Sequence, residues 1–114
     1  MSSAQPAAQA IENSVHLTGR LAAVPTRVRL PSGDEVVGFR VVVDRPPRHR
    51  RGSSVAVDTI ECSVWGAALG RRVEQWQPGD VVTVRGAPRR RFWRTSAGPR
   101  SRYEVEVSRA RRRR

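Results

Sequence analysis

A chain of 114 residues with 38% apolar side chains holds material for one domain with a modest core. All 22 of its basic residues are arginine, set against 10 acids, so the formal net charge of +12 points to a polyanionic partner. The single Cys62 excludes a disulfide framework and a cysteine-built zinc site, and no apolar run approaches the ~20 residues that cross a membrane.

Residues 1–12, small and rich in Ala, Ser and Gln, read as a disordered lead-in. They lack the basic-then-apolar order of a signal peptide, so the expected location is cytoplasmic, beside the nucleoid. From Asn13 the chain becomes periodic. Val15, Leu17, Gly19 and Leu21 alternate with Ser14, His16, Thr18 and Arg20, the period-2 pattern of a half-buried strand. Pro31, Ser32, Gly33 and Asp34 form a turn signal, and residues 36–43 follow as a β-branched strand with Val37, Phe39, Val41 and Val43 inward. Residues 44–56 are basic and carry two prolines, which predicts an exposed loop. In a third strand over 57–65, Ile60, Cys62 and Val64 face one way, and Thr59, Glu61, Ser63 and Trp65 the other.

The period then changes. Leu69, Val73 and Trp76 fall at helical spacing over 67–76, and Pro78 and Gly79 stop the helix. A fourth strand over 81–86 is expected to pass through a break at Pro88 into an arginine-aromatic segment, and Ser96–Pro99 turns the chain back. Tyr103, Val105 and Val107 alternate with Glu104 and Glu106 as a fifth strand. Three strands, a helix and two strands predict an all-β fold with one short helix, the five-stranded Greek-key barrel of the OB architecture, over residues 13–108. Residues 109–114 (Arg109, Ala110 and four further arginines) read as a disordered basic tail.

Arginine offers charge to a phosphate and a flat face to a base, and an aromatic ring offers a stacking platform. The two are interleaved most densely at Arg89, Arg90, Arg91, Phe92, Trp93 and Arg94. A G- and C-rich genome would also replace lysine by arginine, so the weight rests on net charge and aromatic placement. Strand parity puts Trp65 outside; the competing role, a core tryptophan capping the barrel end, goes against that parity. Trp76 belongs to the core by helical spacing, and Phe92, alternating opposite to Trp93, is expected to pack. Arg45, Arg48, Arg50 and Arg51 crowd one loop with only Asp44 as a neighbouring acid, which favours phosphate contact over a merely solvated face. Cys62, inward by parity, is an inert core thiol. His16 and His49 are the only histidines and the carboxylates are dispersed, so neither an enzyme nor a metal or other cofactor is expected.

Over residues 13–108 the chain resembles the bacterial single-stranded DNA-binding protein family. The resemblance rests on Asn13-x-Val15-x-Leu17-x-Gly19-Arg20-Leu21, on Val64-Trp65-Gly66 opening the helix, on Pro78-Gly79-Asp80 before Val82-x-Val84-x-Gly86, and on Arg89-x-Arg91-x-Trp93 with Arg102-Tyr103. No single piece is specific; the ordered set is. It implies an OB-fold subunit, commonly a homotetramer with dimers built through the first strand, that binds single-stranded DNA in replication, recombination or repair. Trp65 and Trp93 stand where the family stacks bases, Arg89 and Arg91 on its long hairpin, and Arg45, Arg48, Arg50 and Arg51 in its clamping loop; Arg20 and Arg94 join them as candidate contacts. Thr59 departs from a stacking Trp of many members, and Glu61 would repel phosphate. The family's replicative members end in an acidic, phenylalanine-tipped tail where this chain ends in arginines, which implies an accessory or divergent member. RNA binding, or mixed assembly with a replicative paralogue, remain the alternatives.

Overall fold

The computed structural model describes residues 10–113; the expected lead-in lies outside the described residues up to residue 9, and so does Arg114. In chain order the elements are β1 (Val15–Leu21), β2 (Thr26–Arg29), β3 (Glu35–Asp44), a single 3-10 turn at Pro47–His49, β4 (Val57–Val64), α1 (Ala67–Val73), β5 (Val81–Thr95) and β6 (Gly98–Arg112). The sheet runs β1-β5-β6-β4-β3-β2 and closes through β1 against β3. β4 and β6 pair in parallel; every other pair is antiparallel. Five strands therefore close a Greek-key barrel with α1 between the third and fourth of them, and the chain has an OB fold.

Alternation along the strands fills the barrel. Leu21, Val37, Val41, Val64, Val82 and Val84 are almost wholly buried. Trp76 joins them, its ring edge-on to Phe39 with centroids 5.5 Å apart at 84°. Two glycines allow the close approaches closure needs: a Cβ at Gly19 would overlap the Val42 carbonyl, and one at Gly86 the Glu106 carbonyl. The helix ends at Val73, sooner than its apolar stripe predicts. The chain then turns so that the Gly79 amide bonds the Leu21 carbonyl at 2.9 Å and the Leu21 amide bonds that of Asp80 at 2.9 Å.

Four features differ from the sequence reading. β2, unforeseen, is only four residues long and has all four exposed; it pairs with β3 residues 35–38. The expected break at Pro88 is absent, and β5 runs straight through it. β1 pairs β5 no further than Gly86, so Pro88 lies on a free edge where its missing N–H breaks no ladder. Beyond that point β5 and β6 leave the barrel as a two-stranded arm with Thr95 paired to Gly98 at its tip.

The fourth concerns the expected disordered tail at residue 109. β6 continues to Arg112, with Arg109, Ala110, Arg111 and Arg112 paired to Arg85, Val84, Thr83 and Val82. A β-bulge at Ser108 makes this possible: the register shifts between Arg85 and Gly86, and the Ser108 hydroxyl donates to the Arg85 carbonyl at 3.3 Å. One extra residue reverses parity. Val105 and Val107 point inward before the bulge, Ala110 packs on the core after it, and Arg109 and Arg111 are turned out.

Candidate nucleic-acid interface

The side chains of β4, β6 and the arm that face away from the core form one surface. Cross-strand pairing puts Arg89 opposite Glu104, Arg91 opposite Arg102 and Trp93 opposite Arg100. Trp65, just beyond β4, is 37% exposed and Trp93 is 44% exposed, so both rings reach solvent, Trp65 as its strand parity predicts. Each is half-covered by a guanidinium: Arg91 Cζ lies 5.0 Å from the Trp65 ring centroid, and Arg102 Cζ 5.8 Å from that of Trp93. Trp65, Arg91, Phe92 and Arg102 border a groove lined also by Val24, Val28, Glu61 and Glu104, so apolar, aromatic and charged groups meet there. Such a groove can take a flat apolar ring and an anion together.

The same surface is thick with acids. Glu104 is buried, accepts a hydrogen bond from the Ser63 hydroxyl at 2.5 Å, and is paired with Arg91 at 3.0 Å and Arg102 at 3.7 Å. Glu106 holds Arg91 at 3.0 Å and Arg89 at 3.3 Å. Burial would lower the Arg91 pKa, but the hydrogen bonds and charges of Glu104 and then Glu106 outweigh it and raise it. Glu61 meets Arg102 at 4.0 Å. These carboxylates pre-orient the arginines and also compete with any phosphate for them. Ser63, outward by parity as expected, is buried all the same because its neighbours roof it over.

The other expected residues divide. Arg94 is exposed near the arm's tip. Arg45 is held by Asp58, whose carboxyl that hydrogen bond lowers below its ordinary range, and Arg50 donates to the Arg45 carbonyl at 3.0 Å. Those two brace the loop, leaving Arg48 and Arg51 exposed on it. Arg20 pairs with Asp44 at 3.2 Å. None of Arg20, Arg45, Arg48, Arg50 and Arg51 borders the groove.

Phe92, expected to pack, is instead 71% exposed, and Tyr103 is 66% exposed. The arm has left the barrel there, so the side that would be core has nothing to pack against. Arg90 lies between the two rings, 5.2 Å and 5.5 Å from their centroids. Arg40 and Arg102, which also border the groove, were open to the same parity argument that found Trp65. Cys62 is buried, and burial, with Glu61 and Glu104 nearby, pushes its thiol up to about 12, out of reach of ordinary thiolate chemistry. Among the described residues no three of His, Cys, Asp and Glu gather into a metal-binding group.

A closed five-stranded barrel with an aromatic and arginine groove beside a long hairpin defines an OB-fold binding domain. Residues 12–112 match the model of the Single-strand binding protein family, and the chain belongs to that family. The structure is similar to that of a Plasmodium falciparum SSB in complex with ssDNA, with TM-score 0.77 and 22% identity over 93% of this chain and 98% of that one. No curated protein matches the sequence.

Proposed function

We propose that this chain binds single-stranded DNA without reading its sequence, bases stacking on Trp65 and Trp93 and phosphates taken by the arginines of the arm, Arg89, Arg91 and Arg94, and of the loop, Arg48 and Arg51. The observation that carries this is the pair of half-exposed tryptophans, each already lying under a guanidinium on one arginine-rimmed surface. A base replaces the guanidinium on the ring, and the freed arginine turns to the phosphate beside it. Stacking is worth ~1–3 kcal/mol per base and tolerates any base, because every base has a π face. The reading involves no bond making or breaking, and it places the chain among the binding proteins that support DNA replication, recombination or repair.

Assembly is part of the reading. β1 pairs with β3 only at Arg20 and Leu21, which leaves the backbone of residues 15–19 open along that edge, suited to the same strand of a second copy. Light scattering of the free protein, alone and with a replicative paralogue, tests for homo-oligomers and mixed ones.

The deciding experiment is tryptophan quenching with single-stranded DNA, duplex DNA and RNA of one length at one salt concentration. Single-stranded DNA should quench most strongly and bind tightest. Equal quenching by RNA would reassign the groove to single strands of either kind, and equal affinity for duplex with no quenching would refute it.

A further inference from the structure

Between Trp65 and Glu61 the groove has a gap in its row of side chains. Both residues border the groove with Ser63 midway between them, and four residues of extended chain span about 13 Å. The Ser63 hydroxyl is spent on Glu104, and the residue opposite Ser63 on β3 is Gly38, which has no side chain. Neither backbone geometry nor packing calls for a glycine there. Its φ is not positive, the β3–β4 register runs through it without a bulge, and a Cβ would meet nothing nearer than the Cys62 and Thr26 carbonyls at 3.9 Å. A strand glycine that no bend or contact requires marks a place where a ligand comes close to the sheet. The gap is thus floored by Gly38 and Ser63, with the Trp65 ring at one end and Glu61 at the other.

Glu61 is the least committed acid of this groove. Its one ion pair among the described residues is to Arg102 at 4.0 Å, whereas Glu104 is buried and held by Arg91 at 3.0 Å. Arg40 stands opposite Glu61 in the β3–β4 register, so guanidinium groups flank the carboxylate from two strands. A carboxylate repels phosphate, but it accepts two hydrogen bonds at once from paired donors. Of the DNA bases only guanine sets two donors side by side on its pairing edge, N1–H and the N2 amino group, next to an O6 acceptor that suits a guanidinium. Thymine places its one donor between two carbonyls. Cytosine and adenine set a single amino donor beside a ring nitrogen that, like the carboxylate, only accepts.

We propose that Glu61 makes this gap a guanine subsite: the base stacks on Trp65 and donates N1–H and N2–H to the Glu61 carboxylate, while O6 meets a flanking guanidinium. The inference rests on the single-strand reading of the groove and refines it at one contact, the others staying blind to sequence. In a duplex that edge of guanine is turned to cytosine, so the subsite also works against paired DNA.

The test measures quenching and affinity of the full chain with thymidylates of about 10 nucleotides, within one OB fold's site size. Each carries one central guanine, adenine, hypoxanthine or 7-deazaguanine, beside an all-thymine probe. A good bidentate base contact discriminates by about tenfold or more, so the parent should bind the guanine probe about tenfold tighter than the adenine and all-thymine probes. Hypoxanthine, which lacks the N2 amino group, should lose most of that advantage. 7-Deazaguanine should keep it, since N7 takes no part. In Glu61→Ala the guanine and adenine probes should bind nearly alike. Gly38→Val, for which the strand has room, should melt like the parent and lose the same preference because the gap is filled. A guanine advantage that survives Glu61→Ala belongs to stacking, and one that vanishes with 7-deazaguanine belongs to an arginine on N7 and O6; either overturns the proposal. Equal parent affinities for all probes, with quenching intact, overturn it too and leave the single-strand reading in place. Absence of quenching by any probe would remove that reading, and the subsite with it.

Discussion

Glu104 shows how one side chain serves stability and restrains binding. Buried, it takes a hydrogen bond from Ser63 and holds Arg91 and Arg102, so it orients the cations of the groove while cancelling part of their charge. Glu104→Gln keeps the shape and removes the charge. Losing charge-assisted hydrogen bonds at a buried site should cost ~1.5–3 kcal/mol of folding stability. Binding should move the other way, becoming tighter and more salt-dependent as Arg91 and Arg102 are released to phosphate. Paired thermal melts and DNA titrations check the two signs, and a variant that weakens both would mean that orientation outweighs cancellation. The tryptophans offer a second contrast. Trp93→Ala should cost ~1–3 kcal/mol of single-strand binding and leave melting nearly unchanged. Trp76→Ala, which empties the site against Phe39, should cost ~3–5 kcal/mol of stability while the folded fraction binds normally. Quenching titrations and calorimetry on the two variants separate the roles; exchanged outcomes would mean exchanged roles.

At the scale of elements, β2 owes its place to charge and not to burial. Arg27 donates to Glu74 at the end of α1 at 2.5 Å and to Glu35 of β3 at 2.8 Å, tying a fully exposed strand to the barrel. The hydrogen bond from Arg27 holds the Glu74 carboxyl below its ordinary 4.5, as that from Arg45 holds Asp58 below 3.8. A depressed folded pKa contributes stability that is complete above the unfolded value and is lost as pH falls through the folded one. The melting temperature should therefore decline from pH ~5 towards pH ~2, and Arg27→Ala should flatten that decline by removing the share of Glu74. A variant with the parent's acid slope would show that the pair adds nothing. The same strand explains where the sequence was silent. β1 was legible because it alternates without interruption, and β4 because Ile60, Cys62 and Val64 alternate with Thr59, Glu61 and Ser63, a parity that placed Trp65 outside. Thr26 and Val28 do alternate with Arg27 and Arg29, but over only four residues, and the structure buries none of them. At Ser108 the failure is of another kind. Continued alternation would put Arg109 and Arg111 in the core, so the natural reading takes them out of the sheet; the partner that makes the bulge, Arg85, lies far back in the chain. For the same reason the groove could be foreseen at Trp65 and Arg91, while the arginines that the bulge turns outward, Arg109 and Arg111, could not.

For the whole molecule, opposed electrostatic effects decide how stability depends on salt. Adding salt weakens the ion pairs that hold Arg20, Arg29 and Arg89, all exposed, and such pairs are worth only ~0–1 kcal/mol each. It also screens the mutual repulsion of a chain with net charge +12, whose excess arginines lie on the loop, the arm and the β1–β5–β6 face. Repulsion among those groups acts over distances comparable with the ~10 Å Debye length at 0.1 M, so salt removes it effectively, whereas the pair of buried Glu104 with half-buried Arg91 is screened less. Relief of repulsion should win. The free protein should melt at a higher temperature as sodium chloride rises from ~0.01 M to ~0.5 M, over the range in which single-strand affinity falls by about 0.7 in log K per log salt for each phosphate bound. Calorimetry and fluorescence titration on one salt series measure both. A melting temperature that falls with salt would mean that the surface ion pairs, and not the unpaired arginines, dominate the fold's electrostatics, and that the cationic faces cost the free protein little.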